Sequence, residues 1–306
     1  MTGERLPVTV IGGYLGAGKT TLVNHLLRHA GRRRLAVLVN DFGALPIDRD
    51  LIVAAGGDTL EIAGGCVCCS YGSEMMDALI ELPARRPGLD AVLLETSGVA
   101  LPGPVASAVG LLPRYRLDGT VVLVDAETVR MRADDTYLGD TIARQIAAAD
   151  LLLVNRCDLV DDAARADIAA WLASMAPAAR QVAAVRSAVP PEVVLGIGPR
   201  GSGGAPVLST PGGVDAASLY ESVELAVDGV VEAEALARAL AGLGGLLRAK
   251  GFVRDPGRGW VCLQMVGARA EIEPAATQTA GRLVAIGRRG ALGRAAVEQA
   301  VAAARR

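Results

Sequence analysis

A glycine-rich segment near the N-terminus constrains the fold more than any other feature of the sequence. Residues 13–20 read GYLGAGKT and match the pattern G-x-x-x-x-G-K-[ST]. The apolar run VTVIGG leads into the segment, and KTTLVNHLLRHAG, whose apolar residues recur at helical spacing, follows it. A strand that continues through such a loop into a helix is typical of a parallel α/β sheet with a phosphate site at its edge.

The glycines allow consecutive backbone N–H groups to turn toward a phosphate, and the helix that follows adds the positive end of its dipole. Lys19 is expected to reach the outer phosphates and to act in catalysis, and the Thr20 hydroxyl is expected to bind Mg²⁺. The predicted nucleotide-binding residues of this loop are Gly13, Gly16, Ala17, Gly18, Lys19, Thr20 and Thr21.

Apolar runs without alternation continue along the first part of the chain and are separated by helical patterns. Such runs indicate strands that are buried on both faces, as in parallel sheets. Residues 1–189 are therefore predicted to form a P-loop NTPase-type parallel sheet flanked by helices. The runs are VTVIGG, LAVLVN, AVLLETS, GTVVLVDA and LLLVN.

The pattern changes in the second part of the chain. Residues 190–216 are rich in proline, glycine and serine, which predicts a linker. Residues 217–306 predict a smaller α+β domain, with strands at SLYESVELAVDG, GWVCLQMVG and RLVAIGR. The segment VEAEALARALAGLGGLLRAKG and the alanine-rich C-terminus predict helices.

Charge and hydropathy argue against two classes of partner. The net charge is −2 and no basic tail is present, so nucleic-acid binding is not expected. No apolar stretch reaches the ~18 residues of a membrane span. The N-terminus MTGERLPVTVIGG is too short and too acidic for a signal peptide, which predicts a cytoplasmic protein with reduced thiols.

The segment Asn155-Arg156-Cys157-Asp158 at the end of a predicted strand indicates which base is bound. A carboxylate at Asp158 can accept hydrogen bonds from the ring N1–H and the exocyclic amine of guanine, whereas adenine presents an acceptor at the ring position. Asn155 is expected to contact both the base and the phosphate loop. The spacing resembles the N-K-x-D motif of GTPases and predicts GTP, although a polar cluster at a strand end is the alternative.

The segment Glu95-Thr96-Ser97-Gly98 follows another predicted strand. A carboxylate in this position can hold Mg²⁺ directly or through water, which makes Glu95 a candidate for metal binding and catalysis. The Gly98 N–H is expected to sense the γ-phosphate. Asp125, also at a strand end, is a candidate for binding Mg²⁺ or positioning water, or else a turn residue.

Together these motifs resemble the CobW-like family of metal-chaperone GTPases, which are relatives of the accessory GTPases of urease and hydrogenase maturation. The resemblance covers both domains and implies GTP hydrolysis coupled to the loading or delivery of a transition metal. The matching stretches are TVIGGYLGAGKTTLVNHLL, VNDFGALPID, GGCVCCS, LLETSGVALPGPV, VVLVDAETV, IAAADLLLVNRCDLV, LLRAKGFV and RLVAIG.

The resemblance implies that Cys66, Cys68 and Cys69, within GGCVCCS, bind the metal. Three clustered thiolates form a soft site that favours Zn²⁺, with Co²⁺ as a second choice. The alternative is that the cysteines are small buried apolar residues. The family usually has glutamate where Asp41 stands, and the resemblance makes Asp41 a candidate fourth ligand or a catalytic switch residue, with one methylene less reach.

Other side chains of metal-binding type do not suggest a further site. His25 and His29 follow the phosphate loop and are expected to pack within its helix, so a histidine-rich metal store is not indicated. Cys157 and Cys262 are expected to lie in the core. Without a recognisable catalytic glutamine or arginine, intrinsic GTP turnover is expected to be slow.

The resemblance also bears on partners. It implies a client metalloprotein that docks partly through residues 217–306, and a homodimer that depends on metal or nucleotide can complete the site. One alternative is a zinc-responsive binding module in which nucleotide controls partner contact and hydrolysis is incidental. A small-molecule kinase is a third hypothesis, which Asp158 argues against because it would need ATP.

Overall fold

A computed structural model of the chain describes residues 5–31, 33–39, 73–196 and 220–305. The chain divides into two compact units, Met1–Ala188 and Val189–Arg306. The predicted domain limits stay predictions, because residues 197–219, most of the predicted linker, lie outside the described residues.

The described part of the first unit contains a six-stranded sheet in the order β2-β3-β1-β4-β5-β6, with every neighbouring pair parallel. The strands are β1 (Leu6–Gly13), β2 (Leu35–Val39), β3 (Ala91–Glu95), β4 (Tyr115–Asp125), β5 (Leu151–Asn155) and β6 (Arg180–Ala183). The helices are α1 (Lys19–Arg28), α2 (Ser73–Arg85), α3 (Pro102–Gly110), α4 (Val129–Ala133), α5 (Gly139–Ala147) and α6 (Asp162–Met175).

Burial explains why these strands are continuous apolar runs. In β4, Val121, Val122 and Leu123 point alternately to the two faces of the sheet, and each is at most 1% exposed. Both faces are therefore covered, which confirms the predicted parallel sheet flanked by helices. β6 was not predicted because this edge strand carries a single buried residue, Val182, and so lacks an apolar run.

Helix α2 contains a proline, and the hydrogen bond that this proline cannot form is replaced by one from the sheet. Pro83 has no N–H to donate to the carbonyl of Leu79, four residues earlier. The Tyr115 hydroxyl at the start of β4 donates to that carbonyl instead, at 2.5 Å. Tyr115 is 1% exposed, and this burial raises its pKa to about 12.

The Tyr115→Phe variant tests this compensation. We expect a loss of about 1–3 kcal/mol in the free energy of unfolding, because the buried Leu79 carbonyl loses its donor. In a Pro83→Ala background the loss should be smaller, since an alanine at this position can supply the missing N–H. Urea denaturation of the four proteins measures both losses, and equal losses in the two backgrounds would contradict this explanation.

In the second unit, the described residues contain a five-stranded antiparallel sheet in the order β10-β9-β8-β11-β7. Two helices, α8 and α9, pack against one face of this sheet and form its core. The elements are β7 (Tyr220–Ala226), α8 (Ala233–Ala241), β8 (Leu246–Asp255), β9 (Gly259–Val266), β10 (Arg269–Pro274), β11 (Arg282–Arg288) and α9 (Arg294–Ala303).

One helix prediction was too long. The segment that was predicted as a single helix over residues 231–251 divides into α8 and the start of β8. Gly245 lies between them, where an added Cβ would come within 2.5 Å of the backbone of Ala291. The backbone at Gly245 passes too close to the backbone at Ala291 to leave room for a side chain. The glycines after α8 therefore allow the chain to enter the sheet as β8.

The second unit begins with a short helix, α7 (Pro191–Leu195), inside the predicted linker. Arg248 of β8 is 2% exposed, and its guanidinium donates to the carbonyls of Val193, at 2.7 Å, and Val194. These bonds attach α7 to β8. Among the described residues of the chain, no helix has the length and apolar character needed to cross a membrane.

Candidate functional site

A cavity of about 590 Å³ opens at the carboxyl edge of the parallel sheet. It is lined by the loop between β1 and α1, the loop after β3, the residues after β5, and Arg186. Parallel strands end at the same edge, so loops far apart in sequence meet there. Of the predicted site residues, the cavity brings together Gly16, Gly18, Lys19, Thr20, Thr21, Glu95, Gly98, Asn155 and Asp158.

The phosphate loop, residues 13–18, needs glycine at two crowded positions. Gly13 has φ +131°, and an added Cβ would lie 2.3 Å from the Leu123 carbonyl oxygen. Gly18 has φ +105°, and an added Cβ would lie 2.5 Å from Asn155 Nδ2. Both positions combine a left-handed backbone with a close neighbour, so any larger residue would displace the loop.

Two arginines from later in the chain donate to neighbouring carbonyls of this loop. Arg132 Nη1 donates to Leu15 O at 2.8 Å, and Arg156 Nη2 donates to Gly16 O at 3.1 Å. In a trans peptide the N–H points away from the C=O. A carbonyl held by an arginine therefore turns the N–H of the same peptide in the opposite direction.

Two further side chains bind the next carbonyls. Asn155 Nδ2 donates to Ala17 O at 2.9 Å, and Ser187 Oγ donates to Gly18 O at 3.1 Å. Asn155 and Ser187 are also bonded to each other, because the Ser187 N–H donates to Asn155 Oδ1 at 2.8 Å. The four carbonyls from Leu15 to Gly18 are thus each bound by a side chain, which preorganises the loop.

Lys19 begins α1, and its side chain folds back into the loop. The ammonium group donates to Gly13 O at 2.9 Å and to Tyr14 O at 3.4 Å, and the residue is 8% exposed. A phosphate oxygen would form a stronger, charge-assisted bond than these neutral carbonyls. The position therefore suits a lysine that binds the outer phosphates.

Thr20 and Glu95 provide two oxygen ligands next to the phosphate loop. The Thr20 hydroxyl donates to Glu95 Oε1 at 2.9 Å, and Glu95 is 4% exposed at the end of β3. Mg²⁺ prefers oxygen ligands and is often held by one carboxylate together with substrate phosphates. This pair of residues fits that requirement.

The loop after β3 contacts the phosphate loop. An added Cβ at Gly98 would lie 2.6 Å from Leu15 Cδ2, so the two loops touch at this point. Gln145 of α5 is 2% exposed, and its amide donates to Gly98 O at 3.0 Å and to Ala100 O at 2.8 Å. The position of Gly98 is therefore defined from both sides.

The residues after β5 form the far end of the cavity. Arg156 has φ +60° and is followed by a 3₁₀ turn, Cys157–Leu159. The turn exposes Asp158 at the cavity wall and buries Cys157. The Cys157 thiol donates to Val154 O at 3.1 Å, and burial raises the pKa of this thiol, so it belongs to the core as predicted.

Comparison with known families agrees with this geometry. A model of the CobW/HypB/UreG nucleotide-binding domain matches residues 7–183, and a model of the cobalamin synthesis protein cobW C-terminal domain matches residues 220–305. The chain belongs to the CobW/HypB/UreG family. The resemblance predicted from the sequence is therefore confirmed over both domains.

Several characterised CobW/HypB/UreG relatives are similar to the chain. The zinc chaperone CobW of Pseudomonas aeruginosa is 37% identical over 229 residues, which are 64% of this chain and 61% of that protein. The zinc-regulated GTPase metalloprotein activator 1 of Schizosaccharomyces pombe is 32% identical over 174 residues, 53% of this chain and 42% of that protein. The matches thus span about half of each relative's length.

A solved structure also aligns with the chain. The crystal structure of Zn(II)-bound YjiA GTPase from E. coli is 21% identical, with 99% of this chain and 100% of that chain covered and a TM-score of 0.45.

Asp125 contacts a turn and an arginine in this CobW/HypB/UreG site. Its Oδ2 accepts from Arg156 Nη1 at 2.8 Å, and its Oδ1 accepts from the Glu127 N–H at 3.0 Å. Asp125 is absent from the cavity lining among the described residues. The carboxylate therefore orients Arg156 and closes a turn, which is the alternative role that the sequence left open, and its binding of Mg²⁺ or water stays a prediction.

Sequence reasoning missed Arg132 and Ser187, which support the phosphate loop of this CobW/HypB/UreG chain, and Gln145, which supports the loop after β3. No sequence signal pointed to Ser187, because it lies in the loop after β6, a strand that the sequence did not predict. Arg186 and Ser187 both have left-handed φ angles, +51° and +55°. Consecutive non-glycine residues in this conformation are strained and concentrate at functional sites.

The metal-ligand predictions for the CobW/HypB/UreG chain fall in another part of the sequence. Asp41, Cys66, Cys68 and Cys69 lie outside the described residues. Within the described residues, no group of three or more histidine, cysteine, aspartate or glutamate side chains could hold a metal ion. His25 is buried within α1 as expected, with its ring centroid 4.4 Å from that of His29.

Proposed function

We propose that this protein is a GTP-hydrolysing metallochaperone that binds Zn²⁺ and delivers it to a client metalloprotein. The observation that carries the proposal is the convergence of three elements at one cavity. They are the phosphate loop, the Thr20–Glu95 pair and the segment that ends at Asp158. The characterised relatives named above are a zinc chaperone and a zinc-regulated GTPase, which supports the same function.

Guanine is the proposed base because of the charge at Asp158. An exposed carboxylate at the cavity wall can accept from the two donors of the guanine edge. Adenine offers a ring acceptor at the same place, and a carboxylate facing an acceptor leaves both groups without a hydrogen bond. This preference also argues against an ATP-dependent small-molecule kinase.

The proposed mechanism follows from the side chains around the phosphates. Inward N–H groups of the phosphate loop and Lys19 bind the phosphate oxygens and stabilise the charge that develops in the transition state. Thr20 and Glu95 would hold Mg²⁺, which neutralises phosphate charge when bound. Gly98 offers its N–H to the γ-phosphate, and Asp41 is proposed to act as a switch residue.

Intrinsic turnover should be slow. The described residues that line the cavity include no glutamine and no histidine to orient the attacking water. A homodimer, the metal or a client would then complete the site. We propose that the client docks partly through residues 217–306 and that the protein works in the cytoplasm, where thiols stay reduced.

The proposed metal site comprises Cys66, Cys68 and Cys69, with Asp41 as a candidate fourth ligand. Thiolates favour Zn²⁺, and Co²⁺ remains the second choice. Because the cysteines lie between β2 and α2 in the sequence, nucleotide-dependent movement after the carboxyl end of β2 can reach them along the chain. Such coupling would allow GTP hydrolysis to change metal affinity.

A Zn²⁺ competition titration tests the proposal. The reduced protein is titrated without nucleotide, with GDP and Mg²⁺, and with a non-hydrolysable GTP analogue and Mg²⁺. We expect the affinity to differ ~10-fold or more between nucleotide states, a coupling free energy of about 1.4 kcal/mol. The Cys66/Cys68/Cys69→Ser variant should lose tight binding.

Two results would contradict the proposed metallochaperone function. Tight Zn²⁺ binding that ignores the nucleotide would favour a zinc-responsive binding module instead. Zn²⁺ binding that survives the triple cysteine substitution would place the metal elsewhere. A separate competition between ATP and the bound GTP analogue distinguishes a GTPase from an ATP-dependent kinase. We expect ATP not to displace the GTP analogue.

A further inference from the structure

Helices α4 and α5 and the turn between them, residues 129–147, form a helical hairpin that donates hydrogen bonds to both loops of the phosphate site. From α4, Arg132 Nη1 donates to Leu15 O of the phosphate loop at 2.8 Å. From α5, Gln145 Nε2 donates to Gly98 O at 3.0 Å, in the loop after β3. The hairpin has no part in the sequence motifs.

Arg132 contacts two consecutive residues of the phosphate loop. The guanidinium carbon lies 5.1 Å from the centroid of the Tyr14 ring, so the side chain stacks on one residue of the phosphate loop while it bonds to the next. The bond to Leu15 O turns the Gly16 N–H of the same peptide in the opposite direction. Gly16 lines the cavity, so Arg132 acts on an N–H that is available to a phosphate.

The Gln145 contact is buried and uses the amide nitrogen twice. Nε2 donates to Gly98 O and also to Ala100 O, at 2.8 Å. Gln145 is 2% exposed and Gly98 is buried, so loss of the amide would leave the buried Gly98 carbonyl without this donor. Gln145 therefore fixes the turn that presents Gly98 beside Leu15.

The two loops face different parts of a nucleotide. A phosphate loop surrounds the phosphates that GDP and GTP share, whereas the loop after β3 meets the third phosphate. We infer that Arg132 positions the loop that binds both nucleotides and that Gln145 positions the loop that distinguishes GTP from GDP. This inference rests on the proposed function, since it takes a guanine nucleotide as the ligand.

The test compares nucleotide affinities in three single variants. Dissociation constants for GDP and for a non-hydrolysable GTP analogue, each with Mg²⁺, are measured by displacement of a fluorescent GDP. Arg132→Ala removes the bond to Leu15, and Gln145→Met keeps the side-chain length but removes the amide. Arg130→Ala is the matched control, because Arg130 lies on the same helix, bonds to Asp167 at 3.1 Å and stacks 5.1 Å from Trp171.

The expected pattern differs between the variants. Arg132→Ala should weaken both nucleotides by ~10-fold, in line with the loss of one charge-assisted hydrogen bond. Gln145→Met should weaken the GTP analogue by ~10-fold or more and change GDP by less than about threefold. Arg130→Ala should change neither affinity. A general loss of stability would weaken both nucleotides together and cannot produce this split.

Two outcomes would contradict the inference. If Gln145→Met weakens GDP and the GTP analogue equally, or if Arg132→Ala behaves as Arg130→Ala does, the inference is overturned. Should Gln145→Met fail to fold, Gln145→Leu, which also lacks the amide N–H groups and carries no charge, has the same expectation. A wild-type protein that binds neither nucleotide would contradict the proposed function itself, whereas equal losses in a binding-competent protein contradict only this inference.

Discussion

Asp158→Asn is expected to lower the affinity for GTP by about two orders of magnitude and to make xanthosine triphosphate the better ligand. The carboxylate can accept from the N1–H and the amine of guanine, whereas an asparagine amide offers one donor and one acceptor. Xanthine carries a carbonyl in place of that amine and therefore matches the amide. Asp158 reaches the cavity wall from the 3₁₀ turn after β5, so its replacement should leave the phosphate site unchanged.

Displacement of a fluorescent guanine nucleotide by GTP, ATP and xanthosine triphosphate measures this change. Asp162→Asn is the matched control, because Asp162 lies close in sequence but pairs with Arg165 on the surface of α6. The control should keep the wild-type preference. If Asp158→Asn still preferred GTP over xanthosine triphosphate, another group would read the base and the proposed guanine site would be wrong.

Glu95→Gln is expected to reduce GTP turnover ~100-fold and to raise the Mg²⁺ concentration needed for half-maximal rate. The amide has the size of the carboxylate, and its oxygen can still accept from Thr20, so the fold should persist. What disappears is the negative charge that we propose holds Mg²⁺ next to the phosphates. A loss of rate with unchanged Mg²⁺ dependence would contradict the role of Glu95 in metal binding.

Phosphate release from GTP, measured over a range of Mg²⁺ concentrations, provides both numbers. Glu127→Gln is the control, because Glu127 is an exposed carboxylate close to the same edge of the sheet and does not line the cavity. Its rate and its Mg²⁺ dependence should equal those of the wild type.

Local sequence patterns predicted most strands of the parallel sheet and the helix after the phosphate loop. The pattern G-x-x-x-x-G-K-[ST] requires a strand before it and a helix after it, and β1 and α1 are found there. The continuous apolar runs predicted β2 to β5 because parallel strands must be covered on both faces. The edge strand β6 was missed because it is partly exposed and therefore has no apolar run. The division between α8 and β8 was missed because the close backbone approach at Gly245 leaves only a weak sequence pattern.

The same distinction applies to the site. The phosphate loop, Glu95 and Asp158 could be read from the sequence, because each stands in a short segment whose spacing reflects its chemistry. Asp125 could not be assigned to one role, since a carboxylate at a strand end can meet a metal ion, a water or the N–H of a turn. Its contact with Arg156 was not foreseen from the sequence and appears only in the tertiary structure.

The sequence by itself determined the fold class, the family and the short motifs that line the cavity, because these depend on residues close together in the chain. Tertiary structure alone decided what supports them. Arg132 contacts Leu15 across 117 positions, and Ser187 contacts Gly18 across 169. Carbonyls of the phosphate loop must be bound from outside if the N–H groups are to point inward, and the donors that bind them are brought there only when the sheet assembles.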